Sequence, residues 1–262
     1  MRIALIQNKP GNNKKNNLDN VLKLIPKDKF DILIFSESFS SPYGINYFKE
    51  YSENIEMGGM TINFLRDLSK SYPDIYIIGG SFPEENNGKY YNTCTVWNNG
   101  KIITVYRKMH LFDVNFPDAN NFIFRESDVL SPGNKPVFFN TPWGNIGLGI
   151  CFDLRFNKLS NYYKENDCKL ICYPGNFTKW SGNLHWKLLL RARAVDNQCF
   201  IIGCSNALNE DANYHAYGHS MIVDPWGKVL NELSEEEGQS ITNINIEETE
   251  KMRKSIPLNN IL

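Results

Sequence analysis

Long apolar runs are missing from this chain of 262 residues. The longest, such as Ile75 to Gly80 and Ile146 to Cys151, fall far short of the roughly 20 residues a membrane-spanning helix needs. A helical membrane anchor is therefore not expected. An excess of charge is missing too: 28 Lys plus Arg stand against 29 Asp plus Glu, for a net charge of -1. That balance gives no electrostatic reason for a polyanionic partner, and nucleic acid is not expected. The start, Met1-Arg2-Ile3-Ala4-Leu5-Ile6, lacks the succession of charged region, long apolar stretch and small-residue cleavage site of a secretory leader. It reads as mature, cytoplasmic sequence. Six cysteines occur, at Cys94, Cys151, Cys168, Cys172, Cys199 and Cys204, and none has the two-residue spacing of a zinc knuckle or redox pair. Free thiols in a reducing compartment, with no metal and no cofactor, are the expectation.

What is present is an α/β pattern. With 42% hydrophobic and 13% aromatic residues, the chain can bury one large core, and one domain over 1–262 is the simplest division. Apolar runs suited to buried strands cover Arg2 to Gln7, Asp31 to Phe35, Ile75 to Gly80, Tyr91 to Trp97, Ile102 to Arg107, Ile146 to Ile150, Leu170 to Tyr173, Cys199 to Ser205 and Ser220 to Val223. Helical spacing covers Leu18 to Ile25, Thr61 to Tyr72, Lys158 to Glu165 and Leu184 to Asn197, the last with Asn183 or Ser181 as cap. Asn98-Asn99-Gly100 and Pro225-Trp226-Gly227 fall between strands and read as hairpin turns. From Asn231 the sequence turns acidic and then offers one short helix near Glu247 to Lys254, so 247–262 is read as a short tail.

The strongest local signal is Gly147-Leu148-Gly149-Ile150-Cys151-Phe152-Asp153-Leu154-Arg155-Phe156. It is a glycine-punctuated strand running to a cysteine, with a helix expected after it. Such an elbow projects the sulfur from the sheet edge and aims the following backbone N–H groups at a bound group. A thiol is mostly protonated at neutral pH and needs a base or a nearby cation to become a nucleophile. Glu37 follows Ile32-Leu33-Ile34-Phe35, and Lys108 follows the strand ending at Arg107. Each would emerge at a strand's carboxyl end, where open α/β sheets place ligands. His110, His185, His215 and His219 compete for the role of base, and residue types alone do not decide between Cys-His and Cys-Glu-Lys chemistry.

Three motifs in order do carry a resemblance: Ser36-Glu37-Ser38-Phe39, Tyr106-Arg107-Lys108-Met109-His110-Leu111-Phe112, and Gly149 to Phe156. Together they resemble the nitrilase superfamily, carbon-nitrogen hydrolases that use Glu, Lys and Cys. The resemblance covers nearly the whole chain and implies a four-layer αββα sandwich, paired as a homodimer or larger homo-oligomer by sheet extension. It implies that Glu37 is the general base, that Lys108 and the Phe152 backbone N–H hold the oxyanion, and that Cys151 forms a thioester. The family's second glutamate, which orients the lysine, matches Glu126 in Phe124-Arg125-Glu126-Ser127.

Within the superfamily the resemblance is strongest to the omega-amidase branch, which removes the terminal amide of 2-oxoglutaramate and 2-oxosuccinamate. It rests on Ser40-Ser41-Pro42-Tyr43-Gly44, Ile78 to Glu85, Tyr91-Asn92-Thr93-Cys94, Glu126 to Gly133, Tyr173 to Phe177 and Arg193 to Gln198. A dicarboxylate monoamide carries an anionic end, so the site should hold a cation at a fixed distance from sulfur. Arg155, expected one turn into the helix after Cys151, is that candidate, with a salt bridge pinning the elbow as its alternative. Tyr43 and Phe177 are expected to shape the pocket. Alternative substrates for the same triad are deaminated glutathione and carbamoyl compounds, and a catalytically silent scaffold is the non-enzyme alternative. Two departures stand out: Phe35-Ser36 precedes Glu37 where the family has Leu-Pro, and the chain ends at Leu262 soon after Ile256-Pro257. The first is expected to alter the strand exit, the second to weaken oligomer contacts.

Overall fold

A computed structural model describes residues 1–119 and 121–258. The chain begins with β1 (Arg2–Gln7), α1 (Lys14–Leu24), β2 (Ile32–Phe35), the single turn α2 (Ile45–Phe48), α3 (Met60–Ser71) and β3 (Tyr76–Ile78). It continues through β4 (Phe82–Asn86), β5 (Lys89–Asn98), β6 (Lys101–Arg107), β7 (Asp113–Phe116), β8 (Phe122–Arg125), β9 (Phe138–Thr141) and β10 (Gly144–Leu148). Then come α4 (Asn157–Glu165), β11 (Cys168–Gly175), α5 (Lys179–Asn197), β12 (Phe200–Ser205), β13 (Met221–Val223), β14 (Val229–Glu232), β15 (Gly238–Asn243) and α6 (Glu248–Ser255). Short 3-10 turns occupy Glu126–Asp128 and Cys151–Arg155.

Apart from the β7–β8 pair, which forms a small sheet of its own, the described strands form two sheets laid face to face, each with three parallel strands at its centre. In the first, β1, β2 and β3 run parallel, β15 pairs antiparallel with β1, and β5 joins β3 to β4 and β6. In the second, β10, β11 and β12 run parallel, flanked by antiparallel β9 and by β13 and β14. Alternation along the strands divides the first sheet's residues between two layers. Ile3, Leu5, Ile32 and Ile34 join the core shared with the second sheet, while Ala4, Ile6, Leu33 and Phe35 pack with Leu18 and Val21 of α1 and Leu65 and Leu68 of α3. Between the sheets the Cys204 thiol donates to the carbonyls of Ile6 at 3.3 Å and Ile34 at 3.5 Å. Helices α4 and α5 cover the outer face of the second sheet through Leu159, Tyr163, Trp186 and Leu190. The result is the four-layer αββα sandwich that the resemblance implied.

Strand positions agree closely with the sequence reading, and the exceptions have local causes. The expected helix from Leu184 begins at Lys179, because the Thr178 side chain accepts from the Ser181 backbone N–H and caps it there instead of Asn183 or Ser181. The acidic stretch after Asn231 is not all tail: β15 lies beside β1 from Arg2↔Asn243 to Gln7↔Gly238. An edge strand with one open face has no continuous apolar run to reveal it. Strands β4, β7, β8, β9 and β14 are four or five residues of mixed polarity or alternating aromatics and escape notice for the same reason. Both expected turns are present, and Asn99 and Gly100 supply the positive φ of 47° and 73° that the β5–β6 hairpin requires. The last part of the expected tail, 259–262, lies outside the described residues. Among the described residues no helix is long and apolar enough to cross a membrane.

Helix α5 needs a flat seat on the second sheet. A Cβ at Gly203 in β12 would lie 2.5 Å from the Trp186 ring and 2.7 Å from Leu190. Overpacking of a filled core costs roughly 1–3 kcal/mol, so Gly203→Ala is expected to lower the urea unfolding midpoint by that free energy at unchanged denaturant slope. An unaltered midpoint would mean that α5 does not press on the sheet there.

Candidate active site

Glu37, Lys108 and Cys151 arrive from three strands at one end of the sandwich. Glu37 leaves β2, Lys108 leaves β6, and Cys151 stands three residues beyond the end of β10. All three are buried: Glu37 and Lys108 are 0% exposed and Cys151 is 3% exposed. The cysteine does not open an α-helix as the sequence suggested. It starts the 3-10 turn, with α4 beginning only at Asn157. Its φ of 48° places it in the left-handed region, which a non-glycine residue occupies at an energetic cost.

Asp153 holds that conformation. Its Oδ2 accepts from the Ile150 backbone N–H at 2.9 Å and from the Tyr106 hydroxyl at 2.6 Å. Its Oδ1 accepts from the His110 backbone N–H at 3.0 Å and meets His110 Nδ1 at 2.7 Å. The glycines of the motif admit aromatic rings: a Cβ at Gly147 would meet Tyr163 at 2.6 Å, and one at Gly149 would meet Tyr173 at 2.4 Å.

The lysine ammonium sits between two carboxylates. Its Nζ lies 3.1 Å from Glu37 Oε1 and 2.9 Å from Glu126 Oε2. Glu126 is no surface carboxylate: it is 0% exposed in the turn after β8. Each of its oxygens has a further donor, the Tyr43 hydroxyl at 2.7 Å on Oε1 and the Phe112 backbone N–H at 2.7 Å on Oε2. Glu37 is held more loosely. Asn92 Nδ2 donates to its Oε1 at 2.8 Å, while Oε2 has no hydrogen-bond partner. Cys151 stands near enough to influence its titration without completing a well-shaped bond.

The electrostatics follow from this crowding. Burial raises the Glu37 carboxyl above the ordinary carboxylate range; Lys108 opposes the rise and Glu126 adds to it. Burial would lower the lysine, but Glu126 and Glu37 outweigh it, and Lys108 stays an ammonium with its pKa raised. The Cys151 thiol is pushed well up by burial and then by Glu37, against Lys108 and the Asn176 backbone N–H, which points at Sγ from 3.5 Å.

Each of the remaining candidates lies at this site. Arg155 ends the 3-10 turn, with its guanidinium 5.0 Å from the Phe177 ring centroid and 5.7 Å from that of Phe152. The alternative of a pinning salt bridge does not hold, since among the described residues no carboxylate lies within 4.0 Å of its nitrogens. Tyr43 spends its hydroxyl on Glu126 and lends its ring to a wall with Phe124 and Tyr214. Beyond that wall lies a cavity of about 320 Å³ that shares Tyr43, Asn176 and Tyr214 with the site. Ser36, the departure before Glu37, does not loosen the strand exit. Its hydroxyl reaches the side-chain oxygens of Asn206 and Asn8, and Asn206 Nδ2 holds the Glu37 carbonyl at 2.7 Å.

No histidine hydrogen-bonds Cys151 among the described residues, so the competing Cys-His pairing has no support. His110 is bound to Asp153 and stacks on Phe156 at 3.6 Å, and His219 stacks on Tyr217. Sequence reasoning missed Asn92 and Asp153 as supports. Only the antiparallel pairing of β5 with β6 puts Asn92 beside the lysine, whose backbone N–H it accepts at 2.9 Å.

Comparison with known proteins places the whole chain. The family described as Carbon-nitrogen hydrolase matches residues 2–254. The chain is 42% identical over 261 residues to Omega-amidase NIT2 of Mus musculus, covering 98% of this chain and 93% of that protein. It is 41% identical to Omega-amidase NIT2 of Homo sapiens over the same shares. The crystal structure of Saccharomyces cerevisiae Nit3, a member of branch 10 of the nitrilase superfamily, superposes with a TM-score of 0.88 at 35% identity, covering 100% of this chain and 96% of that one.

Since Glu37 raises the Cys151 thiol, Glu37→Gln is expected to shift the pH midpoint of Cys151 alkylation by a small haloacetamide downward. An upward shift would mean that the carboxylate does not face the sulfur.

Proposed function

This chain belongs to the carbon-nitrogen hydrolase family, and from that premise we propose that it is an omega-amidase. Its substrates would be small dicarboxylate monoamides, 2-oxoglutaramate and 2-oxosuccinamate, and its products the 2-oxo dicarboxylate and ammonia. The observation that carries the reading is a buried ammonium between two carboxylates beside a cysteine, next to an arginine that, among the described residues, no carboxylate pairs with.

The chemistry proceeds in two halves. Glu37 takes the Cys151 proton as sulfur attacks the amide carbon, and the oxygen's developing charge falls to Lys108 and the Phe152 backbone N–H. The carbon-nitrogen bond breaks, and nitrogen leaves as ammonia with the proton Glu37 returns. A water molecule, deprotonated by the same carboxylate, attacks the thioester, the acid departs, and the thiol recovers its proton. Glu126 takes no proton in this scheme. Its oxygens are engaged by Lys108, Tyr43 and Phe112, which suits it to fix the lysine. Arg155 receives the substrate's far carboxylate between Phe152 and Phe177.

The same reading assigns the protein to the cytoplasm as one domain and a homodimer. All six cysteines are free and buried, as suits a reducing compartment. Leu184, Leu188 and Val195 of α5 are exposed, an apolar row that a second copy would cover.

Ammonia release from 2-oxoglutaramate, compared with deaminated glutathione and a carbamoyl compound, tests the substrate. The amidase reading expects the first to have the highest kcat/KM. Turnover of deaminated glutathione with none of 2-oxoglutaramate would leave the triad standing and overturn the substrate. A pH profile tests the base. Glu37 must be ionised to accept the thiol proton and its pKa is raised from 4.5, so kcat/KM should fall as pH drops through a midpoint above 4.5. An acid limb at or below that value would contradict the role.

A further inference from the structure

His185, on α5, is left without a part in the chemistry above, yet it makes specific contacts with the site. Its Nδ1 lies 3.3 Å from Nη1 and 3.3 Å from Nη2 of Arg155. A guanidinium has only donors and keeps its protons at any ordinary pH. Nδ1 must therefore be the acceptor, which fixes His185 as the neutral imidazole with its proton on Nε2. Burial and then the Arg155 charge lower the His185 pKa, in keeping with that state.

The same helix also fixes the main chain under Arg155. Arg193 Nε donates to the Leu154 carbonyl at 3.0 Å, and its Nη2 donates to the Arg155 carbonyl at 3.0 Å. Trp186 and Leu190, both fully buried, hold the helix to the core. Backbone and head group of one arginine are thus both referred to α5.

We propose that His185 is a positioning residue for the anionic end of the substrate, holding the Arg155 guanidinium in the orientation that receives a carboxylate. The choice of imidazole has a physical reason. An aspartate or glutamate at 185 would orient the guanidinium equally well, but would neutralise it and compete with the substrate for the same donors. A neutral acceptor fixes the direction of the fork and leaves its charge available. The faces of Phe152 and Phe177 restrict the remaining motion without adding a counter-charge. The inference rests on the reading of Arg155 as the carboxylate anchor.

Steady-state kinetics on two primary amides of equal chain length, one ending in a carboxylate and one in a methyl group, test it on the full-length enzyme. His185→Ala is expected to raise KM for the anionic amide roughly ten-fold more than for the neutral one, about the loss of one charge-assisted hydrogen bond. His185→Gln, which can return an acceptor oxygen, should recover part of that loss. His185→Glu should discriminate worse than His185→Ala because it neutralises the arginine. Equal effects of His185→Ala on both amides, or no effect on either, would overturn the proposal. Arg155→Ala measured alongside separates the two ideas. If it abolishes preference for the anionic amide while His185→Ala does not, the anchor stands and His185 has no part in it. If Arg155→Ala leaves the preference intact, the anchor itself is wrong.

Discussion

The ammonium of Lys108, enclosed at 3.1 Å by Glu37 and at 2.9 Å by Glu126, is the contact around which the site is organised. Burying an ion is costly unless paired charges and hydrogen bonds compensate it. One cation facing two carboxylates leaves an excess of negative charge, and the surroundings decide where it falls. Glu126 has a donor beyond Lys108 on each oxygen, from Tyr43 and Phe112. Glu37 keeps one oxygen, Oε2, without a hydrogen-bond partner. The unequal bonding holds Glu126 more firmly than Glu37, the asymmetry on which the proposed division of roles rests. Burial raises both the Glu37 carboxyl and the Cys151 thiol above their ordinary ranges.

The sandwich brings these groups together from strands distant in sequence. Strands β2 and β6 belong to one sheet and β10 to the other, so the triad spans the seam and depends on the sheets' registration. Asn206, just after β12, binds the Ser36 hydroxyl and the Glu37 carbonyl across that seam. Asp153 ties the cysteine turn to Tyr106 on the opposite sheet. The strained φ at Cys151 is thus held by a carboxylate whose own bonds go to Ile150, Tyr106 and His110.

Much of this was legible in the sequence, for identifiable reasons. Buried parallel strands are continuous apolar runs, and β1, β2, β10, β11 and β12 were recognisable as such. The motifs around Glu37, Lys108 and Cys151 pointed to three side chains that the structure brings together, because their order is specific. The edge strand β15 and the β7–β8 hairpin were not recognisable, since a half-exposed strand owes its place to its neighbours and not to its own composition. Asn92 and Asp153 were hidden for a related reason: they act through register and turn geometry. His185 was visible as a candidate base, but only its distance from Arg155 gives it a different task. The Phe35-Ser36 departure suggested a disturbed exit for Glu37, and the structure shows that the serine hydroxyl ties it down.

The account stands on Cys151 being acylated within this charge cluster. Intact-protein mass spectrometry after mixing with a slowly hydrolysed monoamide measures it most directly. The predicted result is an increase equal to the amide's mass less ammonia, located on Cys151 and absent from Cys151→Ala. Turnover of the amide with no such adduct at any time on the unmodified enzyme, or full turnover by Cys151→Ala, would contradict it.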